Sequence, residues 1–200
     1  MSKSAFISVE GPNGVGKSTF IKTLASKLSG HFPVAVTREP SETPFGKFVK
    51  RNEGTLKGIA YARLIWADRY YHIQQLVLPA LSEGKVVISD RYIESSIVLQ
   101  GFDGVSADQV WELNKDVVIP NVSIILLADD NLLAERLQQR DALSDFEKRM
   151  TPRQEIEGYR AAVDFLEDKG FRHLFFQNNT EDDLEKSIGN VFDLIMSTIG

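Results

Sequence analysis

Five short apolar runs stand out along the chain, at residues 5–10 (AFISVE), 33–38 (PVAVTR), 85–89 (KVVIS), 122–128 (VSIILLA) and 172–177 (RHLFFQ). Between them apolar residues recur at the spacing of one helix face, as in Phe20, Ile21, Leu24 and Leu28. This periodicity predicts helices notably over 17–29, 58–82, 131–140, 152–169 and 181–197. Short strands that alternate with helices form parallel sheets with helices on both faces. The central runs are apolar almost throughout, which fits strands covered on both sides. The expected architecture is therefore α/β and three-layered, with a central five-stranded parallel sheet. No repeat, linker or low-complexity tract interrupts the order, so one domain is expected over 1–200. In such sheets ligands sit beyond the carboxyl ends of the strands. The residues just after each strand are where chemistry should be sought.

Composition narrows the field. At 42% hydrophobic content, 200 residues can build one continuous core. The segment MSKSAF leads into the first apolar run without the longer stretch of a secretory signal, and no run is long enough to span a membrane, so the expected setting is cytoplasmic with no membrane partner. The absence of cysteine excludes disulfides, thiolate zinc sites and cysteine nucleophiles. A formal charge of -5, from 23 basic and 28 acidic residues, argues against a nucleic-acid surface. A small phosphorylated ligand needs only a local positive focus.

Such a focus follows the first strand. The stretch GPNGVGKST, residues 11–19, sets Gly11, Gly16, Lys17 and Ser18 at the fixed places of a phosphate-binding loop, between a strand and a helix. Glycines let the backbone turn its amides toward an anion at the helix N-terminus, Lys17 neutralises outer phosphates, and the Ser18 hydroxyl can hold magnesium. The second run ends in TREPSETPFGKF with Arg38, and the third in SDRYIESS with Asp90 and Arg91. Arg69, in LIWADRYYH, lies on a helix expected to cross the same edge. Three arginines near a phosphate loop point to a second anion beside the first.

In this order and spacing, VEGPNGVGKST, TREPSETPFGK, RLIWADRYYH, ISDRYIESSIVLQG and AERLQQRDALSDFEKR make the chain resemble the thymidylate kinase family over nearly its whole length. The resemblance implies the P-loop kinase fold with a short lid at about 136–150, and transfer of the γ-phosphoryl group of ATP to dTMP in a magnesium-dependent homodimer. By the same resemblance Gly11, Asn13, Gly14, Val15, Gly16, Lys17, Ser18 and Thr19 hold the ATP phosphates, with Ser18 and Asp90 on the metal. Lys17, Asp90, Arg91 and a lid cation, Arg140, would be catalytic. Arg38, Pro40, Ile65, Trp66, Arg69, Arg91, Ser95, Ser96 and Leu99 would surround the acceptor, Arg91 on its phosphate and Arg69 toward the pyrimidine. Phosphoryl transfer needs positioning and charge neutralisation more than a nucleophilic side chain.

The chain departs from the family at several places. Asn13 stands where many members carry a loop acid, Ile65 followed by Trp66 where a phenylalanine usually stacks on thymine, and Leu99 where a tyrosine often guards against a ribose hydroxyl. In the lid, Asp145 of SDFE falls near the place of the family's arginine, leaving Arg136, Arg140, Lys148 and Arg149 as candidate cations. A kinase for another nucleoside monophosphate, and a P-loop switch acting through a protein partner, are the alternatives; the arginine set weighs against the switch. His31, His72 and His173 lack metal-ligand spacing and are expected to be surface or packing residues. Tyr70 and Tyr71 suit either the cleft or helix packing, and EDDLE is expected to open the last helix.

Overall fold

The computed structural model describes residues 4–199; residues 1–3 and 200, included in the one-domain expectation, lie outside the described residues. Its five strands are β1 (Ala5–Glu10), β2 (Val34–Arg38), β3 (Val86–Asp90), β4 (Val122–Leu127) and β5 (His173–Gln177). They form one parallel sheet in the order β2-β3-β1-β4-β5. Registers such as Val9 opposite Asp90 and Arg38 opposite Asp90 bring the carboxyl ends of β1, β2 and β3 level with one another. The chain reverses its winding around β1, and a crevice opens there.

Each central strand sends alternate side chains to opposite faces, as a pleated backbone requires. On one face Phe6, Val87 and Ile125 pack with Tyr61, Ile97, Tyr159 and Val163. These come from helices α3 (Gly58–His72), α5 (Ile93–Phe102) and α9 (Pro152–Glu167). On the other, Ile7, Ile88 and Ile124 meet Phe20 and Leu24 of α1 (Lys17–Leu28), Leu133 of α7 (Asp130–Gln138) and Val191 of α10 (Glu181–Ile199). Two covered faces confirm three layers. The first turn of α10 is acidic, with Glu181, Asp182 and Asp183, as the EDDLE stretch indicates.

The helix expected over 58–82 is interrupted. After α3 comes a π-helical turn, Ile73–Val77, then α4 (Leu78–Ser82). Pro79 sits in the first turn of α4. Its ring cannot coexist with a regular carbonyl four residues back, and widening the preceding turn accommodates it. Helices α2 (Pro44–Arg51), α6 (Ala107–Asn114) and α8 (Asp145–Arg149) are additional, and α7 stops at Gln138, which leaves Arg140 in the loop beyond it. Ser144 and Thr151 start α8 and α9 with capping boxes, each accepting from the backbone of its third helical residue. The stretch expected to form the lid thus holds a short capped helix between two irregular segments.

Candidate active site

The loop after β1 is built by its glycines. Gly11, Gly14 and Gly16 have φ of 135°, 79° and 99°, values at which a side chain is strained. A Cβ on Gly11 would also meet the Leu126 carbonyl oxygen at 2.2 Å. Lys17, in the first turn of α1, donates from Nζ to the carbonyls of Gly11 (2.7 Å) and Pro12 (2.8 Å). Burial, and then the charge of Arg91, lower its pKa to about 7. From the end of β5 Asn178 donates to the Val15 carbonyl at 2.6 Å. Arg136 donates to the carbonyls of Gly14 (3.4 Å) and Asn178 (3.2 Å). Arg136 therefore braces the loop rather than the lid.

Around this loop lies a cavity lined by Asn13, Gly14, Gly16, Lys17, Ser18, Thr19, Arg38, Asp90, Arg91 and Arg140. Eight of the sequence-derived loop and catalytic positions converge there with both strand-end arginines. Asp90 has a buried Oδ1 with no hydrogen-bond partner, and with Ser18 it also lines a neighbouring surface groove beside α1. An unpaired buried carboxylate oxygen beside a hydroxyl is a fitting pair for a hard cation. Arg38 remains half-exposed, with only a long 3.8 Å contact to Glu42, and is free to reach an anion.

Arg91 is held differently. At φ 77° it is the one non-glycine residue of positive φ among the described residues. Its Nη1 donates to Ser95 Oγ (2.9 Å) and to the Tyr159 hydroxyl (2.8 Å), and its Nη2 to Asn13 Oδ1 (2.7 Å). Burial opposes its charge, but Tyr159, Asp90, Glu10 and Glu155 hold its pKa above the ordinary arginine value. Beneath it Glu10 accepts from the Tyr92 amide (2.5 Å) and from Ser95 Oγ (2.6 Å). Burial first, and Glu94 second, push the Glu10 carboxyl up to about 8.

A further cavity is lined by Arg91 together with, among others, Asn13, Arg38, Pro40, Ile65, Leu99, Gln100 and Phe146. A small cavity that shares Pro40, Ile65, Arg91, Leu99 and Gln100 with it is lined also by Arg69, Ser95 and Ser96. Asn13, Arg38 and Arg91 line both the further cavity and the phosphate cavity. Helix α5 supplies Ser95, Ser96, Leu99 and Gln100 at helical spacing. Trp66, one residue past Ile65, packs on the Tyr70 ring at 5.4 Å instead. Tyr71 is half-exposed, so of the tyrosine pair neither lines these two cavities.

Arg69 needs correction as a spare cation. It is 1% exposed, and its Nε donates to Glu39 Oε2 at 2.7 Å. Nη1 donates to Asn114 and Nη2 to Ser96 and the Tyr92 carbonyl. Burial would raise the Glu39 pKa, but Arg69 and His72 hold it below the ordinary value. The charge of Arg69 is therefore already balanced, and the anion site rests on Arg38 and Arg91. His72 bonds Thr37 at 2.6 Å and His173 bonds Glu94 at 3.1 Å, so both are packing residues inside polar networks.

In α8 Arg149 donates to Asp103 (2.8 Å) and Asp145 (2.6 Å), with the rings of Phe102 and Phe146 about it. It clasps α8 to the end of α5 and is not a free cation. Lys148 is exposed and lines neither cavity. Arg140 lines the phosphate cavity and pairs with Glu147. Asp145, at the place of the family's arginine, is occupied by Arg149.

Residues that the sequence alone did not single out complete the site. Gln100 is buried with its Oε1 unpartnered at the cavity beside Arg91. The spacing from Ser96 to Gln100 on one helix was the available signal. Glu10, Glu39, Glu155, Tyr159 and Asn178 act through partners far along the chain, and no local pattern marks them.

A phosphate loop that shares an arginine-lined wall with a further cavity on one parallel sheet is the arrangement of a P-loop nucleoside monophosphate kinase. Comparison with known proteins is specific about which. The family model described as thymidylate kinase matches residues 9–188. A probable thymidylate kinase of Caldivirga maquilingensis is 41% identical over 148 residues, 72% of each chain. One from Thermococcus gammatolerans is 32% identical over 207 residues, covering 97% of this chain and 99% of its own. A crystal structure of thymidylate kinase from Ehrlichia chaffeensis superposes with a TM-score of 0.73 at 25% identity, covering 96% of this chain and 98% of that one. The chain belongs to the thymidylate kinase family, ATP-dependent kinases of nucleoside monophosphates.

Proposed function

We propose that the chain transfers the γ-phosphoryl group of ATP to the 5'-phosphate of dTMP, and that the residues brought together above divide the work as follows. The observation that carries this reading is the shared wall of Asn13, Arg38 and Arg91 between the two cavities. Donor and acceptor phosphates held from opposite sides of that wall meet in line across it. Gly11, Asn13, Gly14, Val15, Gly16 and Thr19 shape the donor loop, and Lys17 balances charge on the transferred group. Arg91, preset by Ser95, Tyr159 and Asn13, grips the acceptor phosphate, with Arg38 free to close on it. An acceptor oxygen attacks the γ-phosphorus as its bond to ADP breaks, and Arg140 answers the developing charge from the lid.

The base lies between Pro40, Ile65 and Leu99, apolar enough to exclude water. Gln100 Oε1 accepts from the pyrimidine N3–H, a donor that thymine has and cytosine lacks. Ser96 and Arg69 support that end, Arg69 through its fixed network. Trp66 acts behind this wall, through Tyr70. Magnesium fits the site: Ser18 and Asp90 would hold it, and when bound it would supply positive charge to offset the negative charge of the phosphates.

The surrounding properties belong to the same proposal. A single folding unit is supported by one sheet with a core on each face. A homodimer is supported by Phe48, Ile59, Tyr71 and Leu78, each at least 40% exposed on the segment from α2 to α4. No helix among the described residues is long and apolar enough to cross a membrane, and a cysteine-free chain suits the cytoplasm. The test is a coupled assay of ADP release with ATP and magnesium over the common nucleoside monophosphates. dTMP should give the highest kcat/KM; equal ADP release with no acceptor, or a purine acceptor in first place, would overturn the assignment.

A further inference from the structure

Glu155 is 1% exposed in the first turns of α9 and lines neither cavity, yet its carboxylate closes on the phosphate loop. The backbone N–H of Asn13 donates to Glu155 Oε2 at 2.8 Å. The Asn13 amide donates from Nδ2 to both carboxylate oxygens, at 3.1 and 3.2 Å. A carboxylate only accepts and a guanidinium only donates. With its NH2 committed to Glu155, Asn13 must turn Oδ1 to Arg91, whose Nη2 stands 2.7 Å away. The amide is thereby fixed from both ends.

One turn later on the same helix, the Tyr159 hydroxyl accepts from Arg91 Nη1 at 2.8 Å. Helix α9 thus holds Arg91 by two arms, one direct and one through Asn13. Arg91 needs such holding: φ 77° is a conformation that its own backbone disfavours. The Glu155 charge also helps offset the two buried cations, Arg91 and Lys17.

We propose that Glu155 is a positioning residue for acceptor binding, acting through the Asn13 amide to set Arg91, with the pair's negative charge carried on α9 instead of the loop. This rests on the proposed role of Arg91 at the acceptor phosphate. The pair has a direct consequence for substitution. Asn13→Asp alone brings two carboxylates together, whereas Asn13→Asp with Glu155→Gln recovers the backbone bond and one of the two side-chain bonds with the charge moved across: the new glutamine amide accepts from the backbone N–H and donates to the new aspartate, which still accepts from Arg91.

Steady-state kinetics of the full chain with dTMP and ATP test this, with melting curves to confirm folding. Loss of a charge-assisted hydrogen bond in Glu155→Gln should raise KM for dTMP by about tenfold or more and leave KM for ATP within about twofold. The double exchange should return KM for dTMP to within about threefold of the parent, below both single variants. Equal rises in both KM values, or a double variant no better than Glu155→Gln, would overturn the relay. Arg91→Ala separates this from the underlying reading: if that variant too leaves KM for dTMP unchanged, the acceptor role of Arg91 is wrong and the relay falls with it. If Arg91→Ala raises KM for dTMP and Glu155→Gln does not, the relay alone is wrong.

Discussion

Replacing Glu10 by glutamine should change how stability depends on pH. Burial, and then the neighbouring charge of Glu94, raise the Glu10 pKa from 4.5 to about 8. The folded chain therefore keeps a proton that the unfolded chain releases above 4.5. A raised carboxyl contributes stability that is complete below the unfolded pKa and is lost as pH rises through the folded one. At about 1.4 kcal/mol for each tenfold change in proton affinity, the loss across that window reaches roughly 5 kcal/mol. Lys17 has the opposite sign: its pKa is lowered from 10.5 to about 7, so its contribution is present above 10.5 and lost as pH falls through 7. Of these two groups only Glu10 acts between about 4.5 and 7. Glutamine keeps the shape and can still accept from the Tyr92 amide and donate to Ser95, but it has no proton to lose. Urea and thermal unfolding at steps from pH 5 to 8 should show the Glu10→Gln variant gaining on the parent as pH rises. For a domain of this size each kcal/mol moves Tm by about 2–4 °C, so a gain of even half the full value is readily measured. Parallel curves for the two proteins across that range would refute the reasoning.

Lys17→Ala should lose on the order of 3 kcal/mol of transition-state stabilisation while remaining folded by circular dichroism; parent-like turnover with dTMP would remove the phosphate-loop assignment. Gly11→Ala combines a φ of 135° with a Cβ placed 2.2 Å from the Leu126 carbonyl oxygen, and chemical denaturation should show a loss of about 3 kcal/mol or more; a loss under about 1 kcal/mol would mean that β4 yields easily to the loop. Leu99 lines the acceptor cavity, where a ribose hydroxyl would lie against apolar surface at a cost of roughly 1–3 kcal/mol. kcat/KM for dUMP should thus exceed that for UMP by about tenfold or more, and Leu99→Ala should narrow the gap by admitting water. Comparable use of UMP and dUMP by the parent would eliminate the sugar gate.

What the sequence made legible follows from the range of the interaction that fixes each feature. Strand and helix periods are local, and five strands and the phosphate loop fall within a residue or two of expectation. A loop whose glycines need positive φ is equally local, because the demand is made by its own backbone. The π turn before Pro79 could have been anticipated from that proline alone.

Charge is different, because what an arginine does depends on a partner that its neighbours do not name. Arg38, Arg69 and Arg91 look alike in sequence, each in a polar stretch by a strand end or helix. Glu39 cancels Arg69, 30 positions away; Glu42 barely restrains Arg38; and Arg91 is gripped by Asn13, Ser95 and Tyr159, from the loop, α5 and α9. The same holds between α7 and α8, where Arg136 and Arg149 are bound by the loop carbonyls and by Asp103 with Asp145, while Arg140, paired with Glu147, lines the phosphate cavity. Catalysis of phosphoryl transfer needs cations that are positioned but not neutralised. At the acceptor side this favours an arginine whose direct hydrogen-bond partners orient it without themselves carrying the opposing charge that the substrate brings. Arg91 meets that condition through neutral groups, two hydroxyls and an amide, and Arg69, paired with a carboxylate, does not.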